Sequence, residues 1–106
     1  MTAPSSANDN PFVLIIHEVE DYPKWKVIFD DAAIIRRRAG EIEYQLLALE
    51  TDERQVVHFS RWTSLAAARA FFESPELVEI RRVAGVRAPE FLYLNEIEAK
   101  SLQVLR

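Results

Sequence analysis

The chain is 106 residues long, enough for one domain with one sizeable core and too short for two. Hydrophobic residues make up 49% and charged residues 28%, and 13 basic against 17 acidic residues leave a net charge of −4. That is an ordinary globular composition, outside the disordered class and without the electrostatic footprint of a general nucleic-acid binder. Cysteine is absent, which excludes disulfides and thiol catalysis, and no apolar run reaches the ~18 residues of a membrane span.

Met1 to Asn10 is small and polar, with no basic start and no apolar centre. It does not form a secretory signal, so a cytoplasmic protein is the default expectation, and residues 1–11 read as a flexible tail. Phe12 to Val19 is dense in Val and Ile and predicts a strand. Asp21 and Tyr22 stand near a helix start, with Pro23 tolerated in the first turn. Trp25, Ile28, Phe29, Ala32, Ile35 and Ala39 then recur at helical spacing, and Gly40 is a natural stop. The run Arg36-Arg37-Arg38 near that stop reads as a solvated cap at the negative end of the helix dipole, with anion binding the lesser reading.

A second strand is expected over Glu43 to Glu50, turned by Thr51-Asp52-Glu53 into a third over Arg54 to Trp62, a hairpin. Ser64 caps a helix with Leu65, Ala68, Phe71 and Phe72 on one side. Ser74-Pro75-Glu76 restarts the chain as a short helix ending near Gly85, with Ser at the N-cap and Pro at the first helical position. The last strand is expected over Glu90 to Glu98. Residues 99–106 form an extension whose Leu102, Val104 and Leu105 are expected to pack on a partner subunit.

This order, β-α-β-β-α-β with an extra short helix, predicts an α+β ferredoxin-like domain over residues 12–98 with an antiparallel four-stranded sheet. Right-handed crossovers are expected to set the first and third strands adjacent and parallel at the centre, with the helices on one face. Val13, Ile15, His17 and Val19 alternate with Phe12, Leu14 and Ile16, and Val57 and Phe59 alternate with Val56 and Trp62, so both sheet faces are apolar. Two helices cannot cover two faces. A homodimer is therefore expected, with the face bearing Val13, Ile15 and Val56 under the partner's sheet and ~2,000 Å² or more buried in total.

Two segments carry a family resemblance. Val19-Glu20-Asp21-Tyr22-Pro23-Lys24-Trp25-Lys26 with Phe29-Asp30 is one, and Arg61-Trp62-Thr63-Ser64 through Ser74-Pro75-Glu76-Leu77 is the other. Together they resemble the dimeric α+β barrel superfamily, close to the antibiotic-biosynthesis-monooxygenase-like and related uncharacterised bacterial proteins. The resemblance covers about residues 12–98 and bears on fold more than on reaction, since the superfamily includes oxygenases, haem-degrading enzymes and isomerases.

Alternation puts His58, Ser60 and Trp62 on one face of the third strand. If His17 shares that face on the neighbouring strand, two imidazoles and an indole converge, and Tyr93 and Asn95 of the last strand could join them in an apolar pocket. Family members that oxidise aromatic polyketides without a cofactor use a Trp at the position of Trp62 and a polar residue four earlier, here His58. The resemblance thus implies His58 as a base for a phenolic proton, Trp62 as the ring contact and His17 as a second polar contact. Tyr44, Ser60, Arg81, Tyr93 and Asn95 complete the expected ligand-binding set. Against this stands a core role for both histidines and for Trp62, and Tyr44 and Tyr93 divide between lining a cavity and bridging the dimer.

Other chemistries lack their residues. Gly40 and Gly85 are the only glycines, so there is no glycine-rich phosphate loop, and two histidines without HxH or HxxxH spacing make a weak metal case. Haem-degrading relatives hold iron through a histidine after the second helix. Ser74 to Arg82 has none, and Arg81 falls about there, unable to offer iron a lone pair. The expected function is a small homodimer with an apolar ligand pocket and no cofactor, a cofactor-independent monooxygenase, or an isomerase- or cyclase-like enzyme, acting on a small aromatic or quinone-like compound. The alternative is a non-catalytic ligand-binding or stress-associated protein.

Overall fold

The computed structural model describes residues 10–103. Along them run β1 (Phe12–Val19), α1 (Tyr22–Asp31), α2 (Ala33–Ala39), β2 (Glu41–Leu49), β3 (Asp52–Trp62), α3 (Leu65–Phe72), α4 (Pro75–Val83) and β4 (Val86–Leu94). Each main helix start is capped from its own sequence. The side chains of Asp21, Ser64 and Ser74 accept the backbone N–H groups of Lys24, Ala67 and Leu77, satisfying donors that an uncapped first turn leaves open. Among the described residues no helix is long and apolar enough to cross a membrane.

The sheet has the order β2-β3-β1-β4, and every neighbouring pair is antiparallel. β1 and β3 are central and adjacent as expected, but they are not parallel. The β2–β3 hairpin reverses the chain, so the right-handed crossover from β1 makes β2, not β3, its parallel mate, and β3 slots between them.

The single helix expected over residues 22–39 is interrupted. Ala32 closes α1 with ψ near 0°, and the Phe29 carbonyl accepts Arg36 Nη1–H at 2.6 Å. Arg36 is consequently buried, 3% exposed, which corrects the solvated-cap reading for the first of the three arginines; Arg37 and Arg38 are exposed. β4 begins four residues earlier than expected. Gly85, at φ 79°, turns α4 directly into the strand, and Pro89 is tolerated because β4 is an edge, where its missing N–H leaves no ladder bond broken. A register shift between Ile16 and Glu18 marks the same place, with Ala88 opposite it at φ 46°.

Strand parity decides which face is covered. Val13, Ile15, His17 and Val19 of β1 and Val56, His58, Ser60 and Trp62 of β3 are all buried beneath the helices. The face bearing Val13, Ile15 and Val56 is thus the helix side, opposite to the expectation. The uncovered face carries Phe12, Leu14 and Ile16 with their cross-strand partners Val57, Phe59, Leu92 and Leu94, and Leu47 beside Val57. Phe12 and Phe59 stack there at 4.9 Å. The last strand ends at Leu94, short of the expected Glu98; beyond it Ile97 is 93% exposed and Leu102, in the extension, 88%, while Val104 and Leu105 lie outside the described residues.

Candidate active site

Beneath the helices the core divides into two clusters. One gathers Val13, Ile15, Ala68 and Phe72 around Trp62, and the other gathers Val19, Phe29, Val56 and Ala84 around Trp25. Between them lies a cavity of about 60 Å³. Ile15 and Phe72 from the first cluster, Trp25 and Phe29 from the second, and Leu77 and Ile80 of α4 give it apolar walls. Its polar lining is His17, Arg36, His58 and Arg81.

The sheet register brings the two histidines together. Ile15 pairs with His58 and His17 with Val56, so the imidazoles are diagonal neighbours on the helix side. Both are buried, His17 to 5% and His58 to 2% exposure. His58 meets the Phe29 ring edge-on at 5.0 Å and the Tyr44 ring at 5.6 Å, and His17 leans on Trp25 at 5.4 Å.

His58 Nε2 lies 2.7 Å from Glu41 Oε2, and the other Glu41 oxygen accepts Arg36 Nε–H at 2.7 Å. Both side-chain pairs are 6% exposed or less. A carboxylate at that nitrogen fixes the tautomer with the proton on Nε2, leaving Nδ1 as the ring nitrogen for a ligand. The Arg36 guanidinium also lies 3.7 Å over the Phe29 ring, so Arg36, Glu41 and His58 form one buried, charge-balanced chain.

His17 contrasts with this. Neither ring nitrogen has a hydrogen-bond partner among the described residues, and the same holds for Arg36 Nη2 and Arg81 Nη1. Burial first, and then the His58 and Arg81 charges, push its pKa down from 6.5 to about 4. His17 is neutral near pH 7 and offers one donor and one acceptor. Desolvation likewise lowers the pKa of Arg81, opposed by Tyr93.

Of the residues expected at the site, His17, His58 and Arg81 meet at this cavity. Trp62 and Ser60 do not line it. Trp62 is fully buried in the neighbouring cluster; its Nε1–H donates to Ser60 Oγ at 2.8 Å, and Ser60 Oγ–H donates to the Val13 carbonyl at 3.4 Å. Phe72 stands between, lining the cavity while touching Trp62 at 5.2 Å between ring centroids. Tyr44 is 43% exposed and reaches His58 only from the outer side. Tyr93 packs under the Arg69 guanidinium at 4.1 Å, and Asn95 falls beyond the end of β4.

Two residues of the site, Arg36 and Glu41, were not singled out as site residues from sequence. Arg36 was legible: it continues the series Trp25, Phe29, Ala32 at helical spacing and so falls on the apolar stripe. Glu41 was not. It pairs with Trp62 while Glu43 pairs with Arg61, so a bulge at Ile42 turns Glu41 inward although simple alternation would align it with Glu43 on the open face.

Residues 24–83 match the sequence profile of the family described as antibiotic biosynthesis monooxygenase. No curated protein matches in sequence. Among solved structures, SnoaB, a cofactor-independent oxygenase from Streptomyces nogalater, is similar with TM-score 0.71 and 16% identity, over 86% of this chain and 96% of its own. The monooxygenase of ActVA-Orf6 from Streptomyces coelicolor, solved with nanaomycin D, gives TM-score 0.61 and 17% identity over 95% of this chain and 100% of its own. Rv0793 from Mycobacterium tuberculosis gives TM-score 0.61 and 19% identity over 86% and 99%. Identities this low speak to the fold.

Proposed function

The chain belongs to the antibiotic biosynthesis monooxygenase family, and from that premise we propose that it is a cofactor-independent oxygenase acting on a small phenolic or quinone-like compound. The observation that carries the reading is the buried His58–Glu41 pair at 2.7 Å, which sets His58 in the wall of a largely apolar cavity. His58 Nδ1 takes the phenolic proton, and Glu41 stabilises the resulting imidazolium. The electron-rich anion then reacts with O2: one oxygen atom bonds to the ring, the other leaves as water, and the ring becomes a quinone. The phenol itself supplies the electrons, so no external reductant enters. Neutral His17 does not compete for the proton, and the apolar walls disfavour bulk water. The role once expected for Trp62 passes to Trp25 and Phe29, whose stacked rings, 4.8 Å apart, flank the histidines.

The test is oxygen uptake with single-ring hydroquinones and naphthols. Equimolar consumption of O2 and formation of quinone are expected, with His58→Gln slower by about 100-fold or more, the usual range for losing a general base. Uptake no faster than in buffer across the panel, with ligands still bound, would leave a binding protein instead.

The assembly proposed with this function is a homodimer closed through the open sheet face. Phe12, Leu14, Ile16, Leu47, Val57, Phe59, Leu92 and Leu94 gather on that face, and apolar clusters of this kind mark protein interfaces. A second copy of the same face matches it in shape and chemistry, as a two-fold interface requires. Sedimentation should give a dimer at micromolar concentration, and Phe59→Lys should give a monomer. A stable wild-type monomer would remove this assembly.

A further inference from the structure

The polar lining of the cavity carries an unmatched positive charge. Arg36 is neutralised by Glu41, whereas none of the ion pairs among the described residues gives Arg81 a carboxylate. Arg81 Nη1 and Arg36 Nη2 are buried donors with no acceptor among the described residues. A guanidinium cannot accept a hydrogen bond or shed its proton, so only an acceptor satisfies it. Water would supply the acceptor but not the charge. Arg81 is half-buried, with its guanidinium 4.9 Å over the Phe91 ring, and the single charge it brings to the cavity wall is matched by a monoanion better than by a dianion. Donors arriving from α2 and α4, with the His17 ring of β1 as a third, suit two oxygens with four lone-pair sites better than one.

We propose that this cavity is the subsite for the carboxylate of a small organic acid, held between Arg36 Nη2 and Arg81 Nη1 with His17 as the third contact. The proposal rests on the reading of the cavity as a ligand site, and it narrows the substrate class from phenols in general to phenols that carry an acid group. Size supports the assignment to one group and not a whole ring. The cavity measures about 60 Å³, against the roughly 150 Å³ of a dry cavity that takes benzene. A carboxylate and a carbon or two fit as it stands, and a ring requires Leu77 and Ile80 to shift.

The test compares acids with their neutral amides: acetate against acetamide and benzoate against benzamide, titrated while the imidazole signals of the two histidines are followed by NMR. Each acid should bind at least tenfold more tightly than its amide, and Arg81→Gln should abolish that preference. Equal affinity for acid and amide in the wild type, no binding of either acid, or a preference that survives Arg81→Gln would overturn it. The first comparison needs no variant, so it stands even if Arg81→Gln folds poorly. Oxygen uptake on neutral phenols with no acid preference would sustain the oxygenase reading and sink this one; acid-selective binding without oxygen uptake would do the reverse.

Discussion

Replacing His17 with leucine should flatten the acid limb of the stability curve. In the wild type the His17 pKa is pushed down from 6.5 to about 4 by burial and by the His58 and Arg81 charges. Between those two pH values the unfolded chain binds a proton that the folded chain refuses, so stability falls as pH falls through this window and is unaffected above it. The gap, at roughly 1.4 kcal/mol per pH unit, amounts to about 3 kcal/mol lost by about pH 4. Leucine has no proton to gain and leaves no buried nitrogen unpaired. The groups around it, His58, Arg36, Glu41 and Arg81, remain in both proteins, so the difference between them isolates His17. Urea unfolding followed by tryptophan fluorescence at intervals from about pH 7.5 to about pH 4 measures that difference. Wild-type and variant stabilities falling in parallel across the window would refute the description of His17 as a buried, unpartnered imidazole.

Trp62→Phe should cost about 2 kcal/mol, from the lost hydrogen bond to Ser60 and a partly unfilled ring space, yet leave ligand affinity unchanged because Trp62 does not reach the cavity; denaturant unfolding beside a binding titration checks both halves. Glu41→Gln should destabilise by about 3–5 kcal/mol, since it strands the buried Arg36 charge, and adding Arg36→Met should restore much of the loss in thermal melts. Gly40→Ala should cost about 1–3 kcal/mol: Gly40 sits at φ +128° and an added Cβ would lie 2.6 Å from Thr63 Oγ1, so melts should show a loss that Thr63→Ala relieves only in part.

The element order and the helix caps were legible because they depend on local chemistry. Asp21, Ser64 and Ser74 each act within three residues of their own position. The convergence of His17 with His58 was legible as a condition, since alternation fixes each strand's faces but not the register between strands; the pairing of Ile15 with His58 supplies what alternation lacks. What escaped were effects of departures from regular geometry. The bulge that turns Glu41 inward, the break at Ala32 that frees the Phe29 carbonyl for Arg36, and the early start of β4 across Pro89 each arise from tertiary pairing. The covered face was misassigned for a related reason: with both faces apolar, nothing in a single strand says which side the helices will take.

The proposed reaction requires that His58, held by Glu41, present Nδ1 as a base beside a neutral His17. The chain has two histidines, so imidazole ¹⁵N spectra of the uniformly labelled protein contain two ring patterns, told apart by the His17→Leu variant. Wherever the His58 ring is neutral, its proton should sit on Nε2 with Nδ1 bare, and His17 should show a neutral ring near pH 6 that begins to titrate only toward about pH 4. A bare Nε2 on His58, or a His17 that titrates at the ordinary imidazole value, would contradict the account at its root.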